Sequence, residues 1–296
     1  MINTAKLLAA TTGFKATFQK SLAATETMWN GIAMEVSSTT FEEEYGWLKE
    51  TAGVREWIGD RQILQLEAEG YKIRNRDFEK TIGVDRNIIK DDRLGLMQPR
   101  LITMGEDAGR FPDELVFETL NGGFENKCFD GQFFFDTDHP VQVDELNTSS
   151  VSNYGGGVAS SAWFLVDTSR VLKPIILQKR QDFEFTALDD PTDVNVFMKR
   201  NFMYGIDGRF GGGYGFWQTI YASHLPLNPA NFEAALTAMT TMRGDYGRRL
   251  NLKPTAMWYP PELESAARDV IKVARHAGTN NKWLDRVELK QCGWLN

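Results

Sequence analysis

Gly70-Tyr71-Lys72-Ile73-Arg74-Asn75-Arg76-Asp77-Phe78-Glu79-Lys80, residues 70–80, is the stretch on which the fold turns. Lys72, Arg74 and Arg76 alternate with Tyr71, Ile73 and Asn75, the two-residue period of an extended strand with one polar face. Gly70 and Gly83 punctuate it, and Gln62 to Glu67 supplies a preceding strand, so residues 56–90 are expected to form a long hairpin. Two strands alone are marginal in water, so such a hairpin must lie on its own domain or reach to another subunit. The expectation is that it reaches across, with Tyr71, Lys72, Ile73, Arg74, Arg76 and Lys80 making intersubunit contacts. Glu67, Glu69, Asp77 and Glu79 lie among these basic residues, and mixed signs favour salt-bridged protein contacts over phosphate binding.

Downstream the period changes. Leu94, Met97, Leu101, Met104 and Ala108 recur at steps of three and four after Asp91-Asp92, which predicts a helix with acids at its positive end. Pro99 is expected to kink it, because proline lacks the amide donor and clashes with the preceding turn. Pro112 to Leu120 extends or restarts it before Gly122-Gly123, so 91–121 reads as one long, interrupted helical element.

Upstream, Leu7, Phe14, Phe18 and Leu22 mark an amphipathic helix that ends before Asn30-Gly31. So few apolar residues point to an arm over 1–55 that gains stability by docking through Phe14, Phe18 and Leu22, which in an oligomer can mean docking on a neighbour. Residues 122–159 read as loop and short strand, and 160–222 as strands that include the apolar runs 163–166 and 174–177. Within them, Gly205 to Gly213 reads as the turn of a second hairpin, with Gly208, Arg209, Phe210 and Gly211 at its tip. Residues 223–296 are α/β: Asn228-Pro229 starts a helix, 255–259 forms a strand, and Leu263, Ala267, Val270 and Ile271 define a second helix.

The 296 residues are 42% hydrophobic and 25% charged, ordinary values for a globular chain of one elaborate domain or two intergrown ones. No apolar run approaches the roughly 20 residues that cross a bilayer. Cys128 and Cys292 are too few for a disulfide framework or a cysteine metal cage. A net charge of −7 opposes a surface devoted to nucleic acid, although not a wall that encloses it.

The most enzyme-like string is Phe135-Asp136-Thr137-Asp138-His139-Pro140, where two carboxylates and an imidazole would suit a metal-dependent hydrolase. In an extended chain Asp136 and Asp138 face together and His139 faces away. Asp before His-Pro also suits a turn held by its own carboxylate, and that structural reading is preferred. The glycines of 205–215 lack the Gly-Lys-Ser/Thr ending of a phosphate loop.

A series of blocks then resembles the family of Mu-like phage major head subunits. They run in order: Tyr45-Gly46-Trp47-Leu48, Glu56-Trp57-Ile58-Gly59, Asp91-Asp92-Arg93-Leu94-Gly95, Pro112-Asp113-Glu114-Leu115, Cys128-Phe129-Asp130-Gly131-Gln132, Phe134-Phe135-Asp136 and His139-Pro140-Val141. Leu165-Val166-Asp167-Thr168-Ser169-Arg170, Val196-Phe197-Met198, Gly205-Ile206-Asp207, Gly215-Phe216-Trp217-Gln218 and Leu252-Lys253-Pro254-Thr255 continue the series.

The resemblance implies an α+β fold of the Hong Kong 97-like phage capsid type. Its parts would be an N-terminal arm (1–55), an E-loop hairpin (56–90), a spine helix of the peripheral domain (91–121), a connecting or axial segment (122–159), peripheral-domain strands (160–222) and an axial domain (223–296). It implies a self-assembling shell of hexamers and pentamers around double-stranded DNA, enclosed without sequence-specific binding, with no enzymatic activity and no cofactor or metal. The implied partners are a portal protein and a decoration or minor capsid protein; no membrane is involved. The arm begins almost at Met1, so a separately encoded scaffold and maturation protease are expected. Localisation would be the virion, with the host cytoplasm during assembly. Some relatives crosslink their shells through lysine and asparagine; no acid or asparagine partner can be assigned here, so no crosslink is expected.

Overall fold

The computed structural model describes residues 4–49, 70–91, 93–144, 147–157, 161–190, 192, 194–276 and 278–296. The chain opens with helix α1 (Thr4–Ala24) and strands β1 (Ala33–Ser37), β2 (Glu42–Tyr45), β3 (Tyr71–Arg74) and β4 (Arg76–Asp85). Helices α2 (Arg86–Lys90) and α3 (Gln98–Asn121) follow, then β5 (His139–Gln142), β6 (Thr148–Val151), β7 (Trp163–Val166) and β8 (Ile175–Leu188). After α4 (Val194–Lys199) come β9 (Asn201–Tyr214), β10 (Ile220–Ser223), α5 (Pro229–Thr241), β11 (Ala256–Tyr259) and α6 (Glu264–Ile271). The chain closes with β12 (Arg275–His276), β13 (Thr279–Asn280) and β14 (Glu288–Gln291).

Two four-stranded sheets organise these elements, in the orders β1-β8-β9-β4 and β10-β7-β11-β14. In the first, β1 runs parallel to β8, while β8 and β4 flank β9 antiparallel. In the second, β7 is antiparallel to β10 and β11, and β14 runs parallel to β11. The expected group of strands over 160–222 therefore divides: β8 and β9 belong to the first sheet, whereas β7 and β10 join the C-terminal strands. The cause is composition, since Trp163–Val166, Ile220–Ser223 and Ala256–Tyr259 are all buried along their whole length, as strands covered on both faces must be. β8 instead alternates in exposure from Gln181 to Leu188.

The long helix begins later than expected. Asp85, not Asp91, caps a helix, its carboxylate accepting the Asn87 N–H at 2.7 Å, and Asp91 closes that short α2. Pro99 lies in the first turn of α3, where its missing donor has no intrahelical partner to lose, so it starts the helix and does not kink it. The proline inside α3 is Pro112. Next to it, the buried Asp113 carboxylate accepts Met28 N–H at 2.9 Å and Trp29 N–H at 2.7 Å, tying the chain after α1 to the middle of α3. Burial pushes the Asp113 carboxyl above its ordinary value, against the lowering effect of those two amides.

α1 packs along α3 through Leu7, Ala10, Phe14 and Phe18, all at most 4% exposed. Fully burying such side chains stabilises by roughly 1.5–3 kcal/mol each. The arm expected to dock through Phe14, Phe18 and Leu22 does so on its own subunit, and Phe14 meets Tyr204 of β9 edge-on at 5.1 Å. The seam is close because two glycines one turn apart on α3, Gly105 and Gly109, face Ser21 of α1 and Thr25 just past its end. A Cβ at Gly105 would lie 2.6 Å from Ser21 Cβ and 2.7 Å from the Phe18 carbonyl oxygen.

Gly105→Val should therefore destabilise the subunit by about 1–3 kcal/mol through overpacking, read as a lower melting temperature by circular dichroism. Gly95→Ala, at a position with open space around it, should leave the melt unchanged.

Candidate assembly surface and a buried polar site

The root of the expected hairpin is held within its own chain. β3 pairs antiparallel with β2, from Tyr45 opposite Tyr71 to Glu42 opposite Arg74, and β4 pairs with β9 over ten residues. The predicted preceding strand, Gln62 to Glu67, lies outside the described residues. Of the residues expected to contact a neighbour, Ile73 is buried at 3% exposure and the Tyr71 hydroxyl accepts Tyr214 N–H at 3.1 Å. These two are spent inside the subunit, because the alternation that looked two-sided puts them against β9. The four basic residues have acidic or aromatic neighbours in the same chain. Lys72 stands 3.9 Å from Glu42, Arg74 lies over the Phe41 ring at 4.4 Å, Arg76 stands 3.6 Å from Glu118, and Lys80 pairs with Asp107 of α3. The pairs of Lys72, Arg76 and Lys80 are roughly half exposed, a setting in which ion pairs contribute little.

Beneath that surface runs a polar network. Tyr45 Oη–H donates to Gln178 Oε1 at 2.8 Å, and Gln178 Nε2 donates to Asn75 Oδ1 at 2.8 Å and to the Ile73 carbonyl at 3.2 Å. Asn75 Nδ2 in turn donates to Ser38 Oγ at 2.8 Å, and Ser38 Oγ donates to Glu43 Oε1 at 2.9 Å. Thr39 and Thr40 give that same oxygen their backbone N–H groups at 2.8 and 3.0 Å. These donors, Thr39 first, hold the Glu43 carboxyl down at about 2. Buried amides need every partner, so the network fixes the register of β2 and β3 on β8.

The glycine-rich tip is a second correction. Gly208, Arg209, Phe210 and Gly211 lie in mid-strand of β9, and the turn between β8 and β9 falls instead around α4. Phe210 is buried against Phe111 of α3 at 5.4 Å and Phe183 of β8 at 5.2 Å, while Arg209 ion-pairs with Asp77 at 2.6 Å. The glycines serve close approach rather than turning: a Cβ at Gly211 would meet the Arg74 carbonyl at 2.9 Å, and Cβ atoms at Gly212 and Gly213 would collide with Thr119 and Ile73.

Asp136, Asp138 and His139 do not converge. Asp136 Oδ1 accepts the N–H of the next residue, Thr137, at 2.7 Å, and the Asp138 carboxyl is raised chiefly by its hydrogen bond to Asp136. The His139 ring turns inward, where Nδ1 lies 2.6 Å from Asp130 Oδ2, and Cys128 Sγ donates to Asp130 Oδ1 at 3.0 Å. On its other side Nε2 lies 3.2 Å from Asn153 Oδ1, and the ring stacks on Trp217 with centroids 3.9 Å apart and planes at 10°. This group escaped the sequence reading. Its one local signal is Cys128-x-Asp130-Gly131, where Gly131 at φ +89° turns the chain back; Asn153 and Trp217 come from distant segments. Burial drives the Cys128 thiol strongly upward, with Asp130 adding to it, so this sulfur is an inert thiol.

The model of the Mu-like prophage major head subunit gpT family matches residues 7–295. The Mu-like prophage FluMu major head subunit of Haemophilus influenzae is 41% identical over 266 residues, covering 88% of this chain and 86% of that protein. The major capsid protein of Escherichia phage Mu is 38% identical, with both chains fully covered. Among solved structures, the procapsid of bacteriophage JBD30 superposes with a TM-score of 0.89 at 41% identity, covering 99% of this chain and 100% of that one. The capsid of the same phage gives 0.80 at 32% identity, with 94% of each chain covered.

Gln178→Leu should cost about 1–3 kcal/mol by leaving buried partners of the network unsatisfied, measurable by urea unfolding. The Glu43 contribution is present above the ordinary value of 4.5 and is lost as pH falls toward about 2. Acid titration should therefore destabilise the wild type over that window more than Glu43→Gln.

Proposed function

This chain belongs to the family of Mu-like prophage major head subunits, and from that premise we infer its work: it is the major capsid protein of a Mu-like phage, a structural subunit and not an enzyme. The observation that carries this is the end-to-end match to the JBD30 procapsid subunit, joined to 38% identity with the Mu major capsid protein over full length. The fold is the α+β fold of Hong Kong 97-like capsids, and its copies build a shell.

On that frame we assign α3 as the spine helix and the β1-β8-β9-β4 sheet as the peripheral domain. The β10-β7-β11-β14 sheet with α5 and α6 is the axial domain, which moves β7 and β10 out of the peripheral strands. The described part of the expected E-loop is the root that β2, β3 and β4 form, while residues 56–69 of it lie outside the described residues. Lys72, Arg74, Arg76 and Lys80 are the members of the predicted contact set that keep exposure enough to meet a neighbour. Hexamers and pentamers, a portal, a scaffold and a maturation protease complete the assembly. A minor capsid protein is a further partner, in keeping with a JBD30 capsid decorated with minor capsid protein trimers. The net charge of −7 suits a wall that encloses DNA without reading its sequence.

Expression of the chain with its neighbouring phage genes should give icosahedral shells by negative-stain microscopy, and denaturing gels of intact particles should show this chain at its single-subunit mass. A chain that stays monomeric under those conditions would sink the assignment, and a covalent ladder would refute the absence of crosslinks.

A further inference from the structure

The hairpin over residues 242–250, between α5 and β11, sets two arginines against each other. It turns at Tyr246 and Gly247, both left-handed at φ +57° and +70°. Its arms are tied by Gly244 N–H on the Arg248 carbonyl at 2.9 Å and by Leu250 N–H on the Met242 carbonyl at 3.2 Å. These two bonds bracket the antiparallel bridge between Arg243 and Arg249. The bridge is thus a non-hydrogen-bonded pair, the kind whose side chains leave one face at the closest spacing. Like charges so placed destabilise a hairpin, and among the described residues no carboxylate pairs with either one. Arg243 Nη1 donates to the neutral Gly247 carbonyl at 2.7 Å. Arg249 and Lys253 are exposed, and among the described residues neither side chain has a hydrogen-bond or ion-pair partner.

A third arginine is held beside the pair. Arg170, from the connection between β7 and β8, donates from Nη2 to the Leu250 carbonyl at 2.6 Å and the Asn251 carbonyl at 3.2 Å. Fully buried Asp167 stands 3.6 Å from Arg170 Nε and accepts Lys253 N–H at 2.9 Å, which fixes the backbone beneath these cations. Asp245 is the one acid from 243 to 253, against Arg243, Arg248, Arg249 and Lys253, and it accepts Gln142 N–H at 2.9 Å. The chain as a whole has a net charge of −7, so this end of the subunit is basic on an otherwise acidic molecule.

We propose that Arg170, Arg243, Arg249 and Lys253 form a contact for the phosphate backbone of the double-stranded DNA that the shell encloses. The inference rests on the capsid reading above, which supplies the polyanion. Arginine forks take phosphate oxygens in pairs, and a phosphate between Arg243 and Arg249 removes the repulsion that the bare hairpin carries. Phosphate contacts position a duplex without reading its bases, as a wall indifferent to sequence requires. The acidic remainder is repelled by the same polyanion, so the patch marks the side of the subunit that faces the genome.

The test follows binding of a short fluorescent DNA duplex to the full chain by anisotropy, over a salt series from about 50 to 200 mM. Arg249→Gln with Lys253→Gln removes the two unpaired cations. Lys15→Gln with Lys20→Gln removes two exposed cations from α1 and leaves the same net charge. The first pair should weaken binding at least about tenfold at low salt and flatten the salt dependence by about 2. The second pair should bind like the wild type, as should a duplex of unrelated sequence. Because Arg249→Gln relieves a repulsion, its melting temperature should equal or exceed that of the wild type. Equal losses in the two pairs, a wild type that does not bind, or a lower melting temperature for Arg249→Gln would each overturn the inference. Tighter binding of poly-glutamate than of the duplex would assign the patch to an acidic protein segment and overturn it too. Negative-stain microscopy of the wild type separates the two readings: shells together with any of those results overturn this inference alone, whereas absence of shells overturns the capsid reading and this inference with it.

Discussion

The close approach of other backbones to α3 is the constraint on which the remaining architecture depends. On one side α1 comes near enough that Gly105 and Gly109 leave no room for a Cβ beside Ser21 and Thr25. On the other, β9 comes near enough that Gly212 leaves none beside Thr119, and Phe111 fits between Phe78, Phe183 and Phe210. Interiors are packed to crystal-like density, so these spacings propagate. With α1 seated on one flank and the sheet on another, the N-terminal segment has its apolar stripe covered before any second subunit arrives.

That covering explains the largest departure from the sequence reading. Phe14, Phe18 and Leu22 looked like an orphan stripe because their partners lie 60 to 190 residues away, in β4, α3, β8 and β9. Periodicity reports that a face is apolar, and it carries no information on what covers it. The glycines misled for a related reason. A run such as Gly211-Gly212-Gly213 signals either a turn or a strand that another backbone must approach, and only the position of Ile73 and Thr119 decides between them. By contrast α5 and α6 were legible, since the Asn228 side chain caps its own helix by accepting Asn231 N–H at 2.9 Å and α6 buries Ala267, Val270 and Ile271 on one face. Local determinants survive in local sequence.

The family itself was legible through the order of short blocks, none of which had a mechanism attached. The structure supplies mechanism for several. Pro112-Asp113 is where α3 catches the amides of Met28 and Trp29. Cys128 to Gln132 is a turn closed by the Cys128 N–H on the Gln132 carbonyl and aimed at His139. Leu165 to Arg170 ends in a fully buried Asp167, which accepts Ser169 N–H at 3.0 Å and Lys253 N–H at 2.9 Å and stands 3.6 Å from the Arg170 guanidinium. Asp113 and Asp167 gather backbone amides from segments far along the chain, whereas Asp130 takes a local amide and the His139 ring.

These carboxylates bear on how a shell subunit divides its charge. Exposed pairs such as Lys80 with Asp107 can be exchanged for pairs with a neighbour at little cost, because water compensates either arrangement. Asp113, Asp130 and Asp167 have no such freedom: each is buried or nearly so, and each is satisfied by partners from its own subunit. A protein that must meet copies of itself in slightly different geometries is served by that separation. The charges that fix the fold are withdrawn from solvent, and those left at the surface can change partners without disturbing it.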